Sequence, residues 1–93
     1  MPKIEENRPK SVPEILRRFI KDKFLPSVGK ENFDDDDSFM ENGIIDSTGV
    51  LELLEFLEEQ FDMEVEDEEI IPDNLDSISK LTTFIRKKKE NVS

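Results

Sequence analysis

An aspartate and a serine, Asp46 and Ser47, stand where a helix should begin, behind Gly43 and ahead of the run Val50-Leu51-Glu52-Leu53-Leu54-Glu55-Phe56-Leu57-Glu58-Glu59-Gln60-Phe61. A hydroxyl in that position has two uses. It can cap the helix, as most Asp-Ser pairs before an apolar run do, or it can be a handle for a covalent group, held on a rigid element and flanked by the small Thr48 and Gly49. Neither residue completes a capping box, because Val50 lies three residues after Ser47 and Gly49 three after Asp46. A second pair, Asp76-Ser77 before Ile78, has the same local form, so the dipeptide alone does not choose between them. Context favours Ser47, which is mid-chain, behind a turn and ahead of an acidic helix. Ser77 heads a basic final helix with 16 residues after it.

Other chemistry is scarce. The 93 residues include no cysteine and no histidine, which removes thiolate sites, disulfides and a side-chain base near neutral pH. No set of nucleophile, base and orienting group is visible, so the chain is read as a non-enzyme. Asp34 to Asp37 suggest a calcium loop, but no register supplies alternating oxygen ligands, glycine at the sixth position and glutamate at the twelfth, and no metal ligand is assigned. Weak divalent binding with a role in stability stays open.

Charge is the strongest compositional signal. The net charge is −11, and residues 31–79 hold 19 acids and not one lysine or arginine, while all 13 basic residues sit toward the two ends. Such a field repels phosphate backbones and steers toward cationic protein surfaces, which argues against nucleic acid as a partner. Solubility alone is the plain alternative. No segment approaches the roughly 20 apolar residues that cross a bilayer, so a cytoplasmic protein is expected.

The elements that must position Ser47 follow from periodicity. Residues 1–10 read as a flexible tail, 11–89 as one small domain and 90–93 as a C-terminal tail. Ser11-Val12-Pro13-Glu14 has the form of a capping box, opening a helix whose apolar stripe is Ile15, Leu16, Phe19, Ile20 and Phe24. Arg17, Arg18 and Lys21 form its wet face as ordinary surface charge, and Pro26 is expected to stop it. A long connection to Asp46 carries Phe33, Phe39, Met40, Ile44 and Ile45, which should pin it over the helices, with Gly43 supplying a positive φ. In the next helix Val50, Leu54, Leu57 and Phe61 make the core stripe, widened by Leu51 and Leu53, and Glu52, Glu55, Glu58 and Glu59 take another face. Val65 anchors the following turn, a short helix over residues 66–71 is expected to end at Pro72, and Ile70 and Ile71 should face the core. A last helix, capped by Asp76 or Ser77, buries Ile78, Leu81, Phe84 and Ile85. The expected fold is all-α, a small bundle of three main helices and one short helix with a long loop between the first two.

Ile45-Asp46-Ser47 opening an acidic helix, followed by Glu58-Glu59-Gln60-Phe61-Asp62 and the acidic stretch 64–69, resembles the acyl carrier proteins of the phosphopantetheine-carrying superfamily, over roughly residues 12–88. The resemblance implies that Ser47 receives a 4′-phosphopantetheine arm from coenzyme A through a separate phosphopantetheinyl transferase, with Asp46 assisting together with magnesium. The resulting phosphodiester would sit at a helix N-terminus, where free N–H groups and the dipole favour an anion. It further implies a thioester carrier, a monomer, whose partners are acyl-loading and acyl-using enzymes with basic docking surfaces. Glu52, Glu55, Glu58 and Glu59 would meet these, and a folded-back cargo would lie near Val50, Leu54 and Ile71. Fatty acid, polyketide, amino acid and specialised lipid pathways all use such carriers. Two residues depart from the usual pattern: Thr48 replaces a large apolar docking residue, and Gly49 weakens the first helical turn by about 0.5–1 kcal/mol relative to alanine. The rival reading is an acidic helical binding module without a cofactor.

Overall fold

The computed structural model describes residues 11–29 and 32–91, and among them every regular element is helical. The proposed tail over residues 1–10 lies outside the described residues. Three helices form the frame: α1 (Val12–Lys23), α3 (Ser47–Phe61) and α5 (Ile78–Asn91), with the four-residue turns α2 (Leu25–Val28) and α4 (Pro72–Leu75) and a 3-10 turn at Asp67–Glu69 between them. This is the expected all-α bundle. Leu16 and Ile20 of α1, Leu53, Leu57 and Phe61 of α3, and Ile78, Leu81 and Ile85 of α5 converge on one core, and α5 packs against both α1 and α4.

The caps explain where the helices start. Ser11 Oγ accepts the Glu14 N–H at 3.4 Å, with Pro13 in the first turn, where its missing N–H has no helical partner to lose. Pro26 does not end α1. The helix breaks at Phe24, and Pro26 lies in the first turn of α2, which closes at Gly29 with φ +72°. Proline pre-organises a helix start as readily as it interrupts a helix interior. The same correction holds at Pro72, which opens α4 rather than closing the helix before it. Only residues 67–69 of the expected short helix are helical, as a 3-10 turn, and Ile71 then turns extended. Ile70 and Ile71 are therefore partly exposed instead of core-facing.

The long connection is packed, as its apolar content predicts. Phe33, Phe39, Ile44 and Ile45 are buried, and Gly43 has φ +68°, but Met40 is 53% exposed. What the periodicity could not show is how polar groups fasten this segment. Arg17, assigned to the wet face of α1, instead reaches across: it donates to the Phe33 carbonyl at 2.6 Å and to Asn32 Oδ1, pairs with Asp35 at 2.5 Å, and its guanidinium lies 4.4 Å from the centre of the Phe33 ring. The aspartate run is similarly occupied. Asp36 accepts from Ser79 Oγ at 2.7 Å, Asp37 accepts the Asp34 N–H at 2.9 Å, and the Asp35 carbonyl accepts the Ser79 N–H. No group of three or more acidic side chains able to hold a metal ion occurs among the described residues. No helix among them is long and apolar enough to cross a membrane.

Candidate functional site

The start of α3 divides the work between its first two residues. Asp46, extended at φ −105° and ψ −174°, is the N-cap, and its Oδ1 accepts the Gly49 N–H at 2.8 Å. Ser47 is the first helical residue. It is exposed, and its hydroxyl makes no hydrogen bond with any described residue. Thr48 beside it is also exposed.

The second Asp-Ser pair is used in the opposite way. Ser77 is 3% exposed, and its Oγ accepts the Lys80 N–H at 3.1 Å, which is the geometry of a cap. Asp76 accepts from Ser38 Oγ and from the Met40 N–H. One pair holds the fold together through both of its side chains. The other spends only its aspartate.

Gly49 has a packing reason that its poor helix propensity conceals. It is buried, and a Cβ there would come within 2.9 Å of Phe24 Cε1 and 3.0 Å of Ile45 Cγ2. The glycine thus lets the break between α1 and α2 close onto the first turn that carries Ser47. Gly49→Ala gains helix propensity but forces the Phe24 ring and the buried Ile45 apart. The overpacking outweighs the propensity, and a net loss of about 1 kcal/mol is expected in urea unfolding.

Along α3, Leu53, Leu57 and Phe61 are buried, Val50, Leu54 and Phe56 are half-buried, and Phe56 stacks on Phe19 with ring centres 3.9 Å apart. Leu51 does not widen the core stripe; it is 64% exposed. The reason is angular: Ser47, Leu51, Glu55 and Glu58 recur at i, i+4, i+8 and i+11 and so share one stripe, turned away from the stripe of buried Leu53 and Leu57. All four glutamates singled out by the sequence are exposed, but they are not equivalent. Glu52 pairs with Lys23 at 3.3 Å, and Glu58 Oε2 accepts the Val65 N–H at 3.1 Å, fastening the turn after α3. Glu55 and Glu59 make no hydrogen bond or ion pair with a described residue.

Two hollows flank the serine end of α3. On one side Lys23, Asp46, Thr48 and Glu52, together with Phe24, Val28 and Ile44, edge an open depression of mixed character. On the other is an apolar cavity of about 100 Å³. Val50, one helical turn from Ser47, is in its wall with Leu53, and Ile71 is at its rim. Leu54, the third of the expected pocket residues, is not in the lining. Phe39, expected only to pin the long connection, and Leu75, given no role by the sequence, are also in it.

The wall that bears Ile70 and Ile71 is tethered by Glu69. This carboxylate accepts from Lys88 Nζ at 2.8 Å and from the Glu66 N–H at 2.8 Å, completing a capping box around the 3-10 turn, and the Glu69 carbonyl accepts from Asn74. The Lys88 hydrogen bond first, then the Glu66 N–H, hold its carboxyl below the ordinary value near 4.5. A carboxyl depressed by folding adds stability above its unfolded pKa, and that stability is lost as the pH falls from there through the folded value. Between pH 5 and pH 3 the urea midpoint of the protein should therefore fall more steeply than that of Lys88→Met, whose midpoint is already lower at pH 6.

The described residues thus form a helical bundle with an exposed serine on the first turn of an acidic helix, and its hydroxyl makes no hydrogen bond with any of them. Comparison with known proteins gives the family. The acyl carrier protein of Buchnera aphidicola subsp. Acyrthosiphon pisum (strain Tuc7) is 33% identical over 79 residues, covering 85% of this chain and 94% of that protein. The acyl carrier protein of strain 5A is 32% identical over the same length. No family model matches the chain. At this identity and coverage the chain belongs to the acyl carrier protein family.

Proposed function

We propose that Ser47 carries the 4′-phosphopantetheine arm and that the protein presents acyl or related groups, held as thioesters, to a succession of partner enzymes in the cytoplasm. The observation that carries this reading is the division at the head of α3: Asp46 supplies the cap, and the Ser47 hydroxyl is exposed and engaged by none of the described residues. The site fits the group. A phosphodiester on Ser47 is adjacent to the first free N–H groups of a 15-residue helix, where an anion is favoured, and the serine is exposed to a transferase. The arm supplies a thiol that forms the thioester, which a chain without cysteine cannot offer. Asp46 keeps the attachment turn in register through Gly49 and, in this reading, assists the transferase together with magnesium.

Partner docking falls to the exposed face of α3. Glu55 and Glu59 offer carboxylates with no partner among the described residues, Leu51 an apolar contact between them and Ser47, and Glu52 can exchange Lys23 for a partner's cation; Glu58 contributes while also holding Val65. Charge of this kind gives fast, salt-sensitive and weak encounters. The cargo lies beside Val50 and Ile71, with Leu54 outside the cavity wall. The test is incubation with coenzyme A, magnesium and a promiscuous phosphopantetheinyl transferase, followed by intact mass and peptide mapping. One phosphopantetheine on the peptide containing Ser47 supports the carrier. No gain with several transferases overturns it in favour of an acidic binding module.

A further inference from the structure

We infer that Asn42-Gly43, in the turn ahead of Asp46 and Ser47, is a site of spontaneous deamidation, and that the Asp76 carboxylate, by clamping this turn, sets its rate. The inference holds whatever group Ser47 carries. Of the five asparagines, Asn42 is the one that precedes glycine; the others precede Arg8, Phe33, Leu75 and Val92, whose side chains crowd the backbone nitrogen that must react. The nitrogen of Gly43 attacks Cγ of Asn42 and closes a succinimide ring. The Cγ–Nδ2 bond breaks, and the nitrogen's proton departs with the amide group as ammonia. Water then opens the ring at one carbonyl or the other, leaving aspartate or isoaspartate. Both residues are exposed, so water reaches the pair. A side chain at position 43 would slow the attack, but φ there is +68°, which favours glycine although an added Cβ would meet nothing within 4 Å.

The folded turn occupies both reacting groups. Asn42 Nδ2 donates to the Ser38 carbonyl at 2.8 Å, and the Gly43 N–H donates to the Met40 carbonyl at 3.2 Å. The side-chain amide is thereby drawn back along the chain and the attacking nitrogen keeps its proton in a hydrogen bond, so ring closure waits for the turn to open. Asp76 opposes that opening at the same two residues. Its carboxylate accepts from Ser38 Oγ and from the Met40 N–H, holding in place the peptide groups that engage Asn42 and Gly43. The products lack this hold. A carboxylate only accepts, so it cannot donate to the Ser38 carbonyl, and isoaspartate adds a methylene to the main chain. The next bond of the turn, from the Ile44 N–H to the Phe39 carbonyl at 2.8 Å, then loses its register, directly ahead of the buried Ile44 and Ile45 and the cap of α3.

The test ages the full-length protein at mildly alkaline pH, folded and in urea, and follows it by peptide mapping and by methyl transfer with an isoaspartyl methyltransferase. In urea, conversion should appear at Asn42 well before Asn32 or Asn74. The folded protein should convert at least about tenfold more slowly, because the rate follows the population of the opened turn. Asp76→Ala, compared at a temperature where its circular dichroism matches the parent's, should convert about tenfold faster than the folded parent, and Asp76→Asn, which keeps one acceptor oxygen, should fall between them. In the isoaspartate form, separated by ion exchange, amide exchange at Ile44 and Ile45 should quicken. Conversion in urea that does not favour Asn42 overturns the site. A single rate for folded, unfolded and Asp76→Ala protein overturns the clamp, and unchanged exchange at Ile44 and Ile45 overturns the loosening. None of these readouts involves Ser47, so the carrier reading stands or falls separately on uptake of the arm.

Discussion

Ser47→Ala is expected to take up no phosphopantetheine while remaining folded. The hydroxyl makes no hydrogen bond with a described residue, is exposed, and occupies the first position of α3, where alanine is at least as good a helix former as serine. Its urea midpoint should therefore stay within about 0.5 kcal/mol of the parent, as for surface positions away from special features. Intact mass after transferase treatment should show only the unmodified chain. Ser77→Ala should behave in the mirror sense: full uptake of the arm, with a loss of about 1–2 kcal/mol because the Lys80 N–H loses its cap in a buried setting. That corresponds to a fall in Tm of roughly 4–15 °C for a domain of this size. Uptake by Ser47→Ala would move the attachment elsewhere. A well-folded Ser77→Ala that takes up nothing would identify the wrong serine.

The contrast between the two Asp-Ser pairs also shows where a reading of residues stops. Periodicity was enough for the three long helices, because Leu16 and Ile20, Leu57 and Phe61, and Ile78, Leu81 and Ile85 repeat at helical spacing and all are buried. It could not separate Leu51 from Leu53, since the tilt of α3 against its neighbours decides which edge of a wide stripe meets water. Nor could it find Arg17, whose partners lie 15 to 18 residues away along the chain and depend on where the loop is laid. Prolines were misread for a related reason. Pro26 and Pro72 are compatible with either the end or the start of a helix, and only the neighbouring backbone decides between them. At the site itself the serine and its acidic helix were visible in the sequence, and the spare hydroxyl was not. Capping boxes fail at both Asp46 and Ser47, and it takes the Asp46–Gly49 bond to show that the aspartate caps alone. The value of Gly49 was likewise hidden, because propensity registers its cost and the close approach of Phe24 is a tertiary fact.

Asp76→Ala is expected to give the largest loss of stability among the polar substitutions considered. The carboxylate accepts from Ser38 Oγ and from the Met40 N–H, and so joins the long loop to the junction of α4 and α5. Hydrogen bonds to a charged group contribute about 1.5–3 kcal/mol each when the partner is stranded. Water reaches the Met40 N–H and replaces part of that, so the net loss should be about 2–3 kcal/mol, a fall in Tm of roughly 8–24 °C. Asp76→Asn keeps one acceptor oxygen and should lose about half as much. The damage should also be local, because the Phe39 N–H bonds to the carbonyl of the same residue, and loosening Asp76 loosens the wall of the apolar cavity. Amide exchange at Met40, Ile44 and Ile45 should quicken in Asp76→Ala, while exchange in the middle of α3 follows only the global loss. Uptake of the arm at Ser47 should be unchanged at temperatures where the variant is folded, since Asp46, not Asp76, holds the turn that presents it. A variant as stable as the parent, or one whose exchange quickens uniformly, would mean that Asp76 does not clamp the loop.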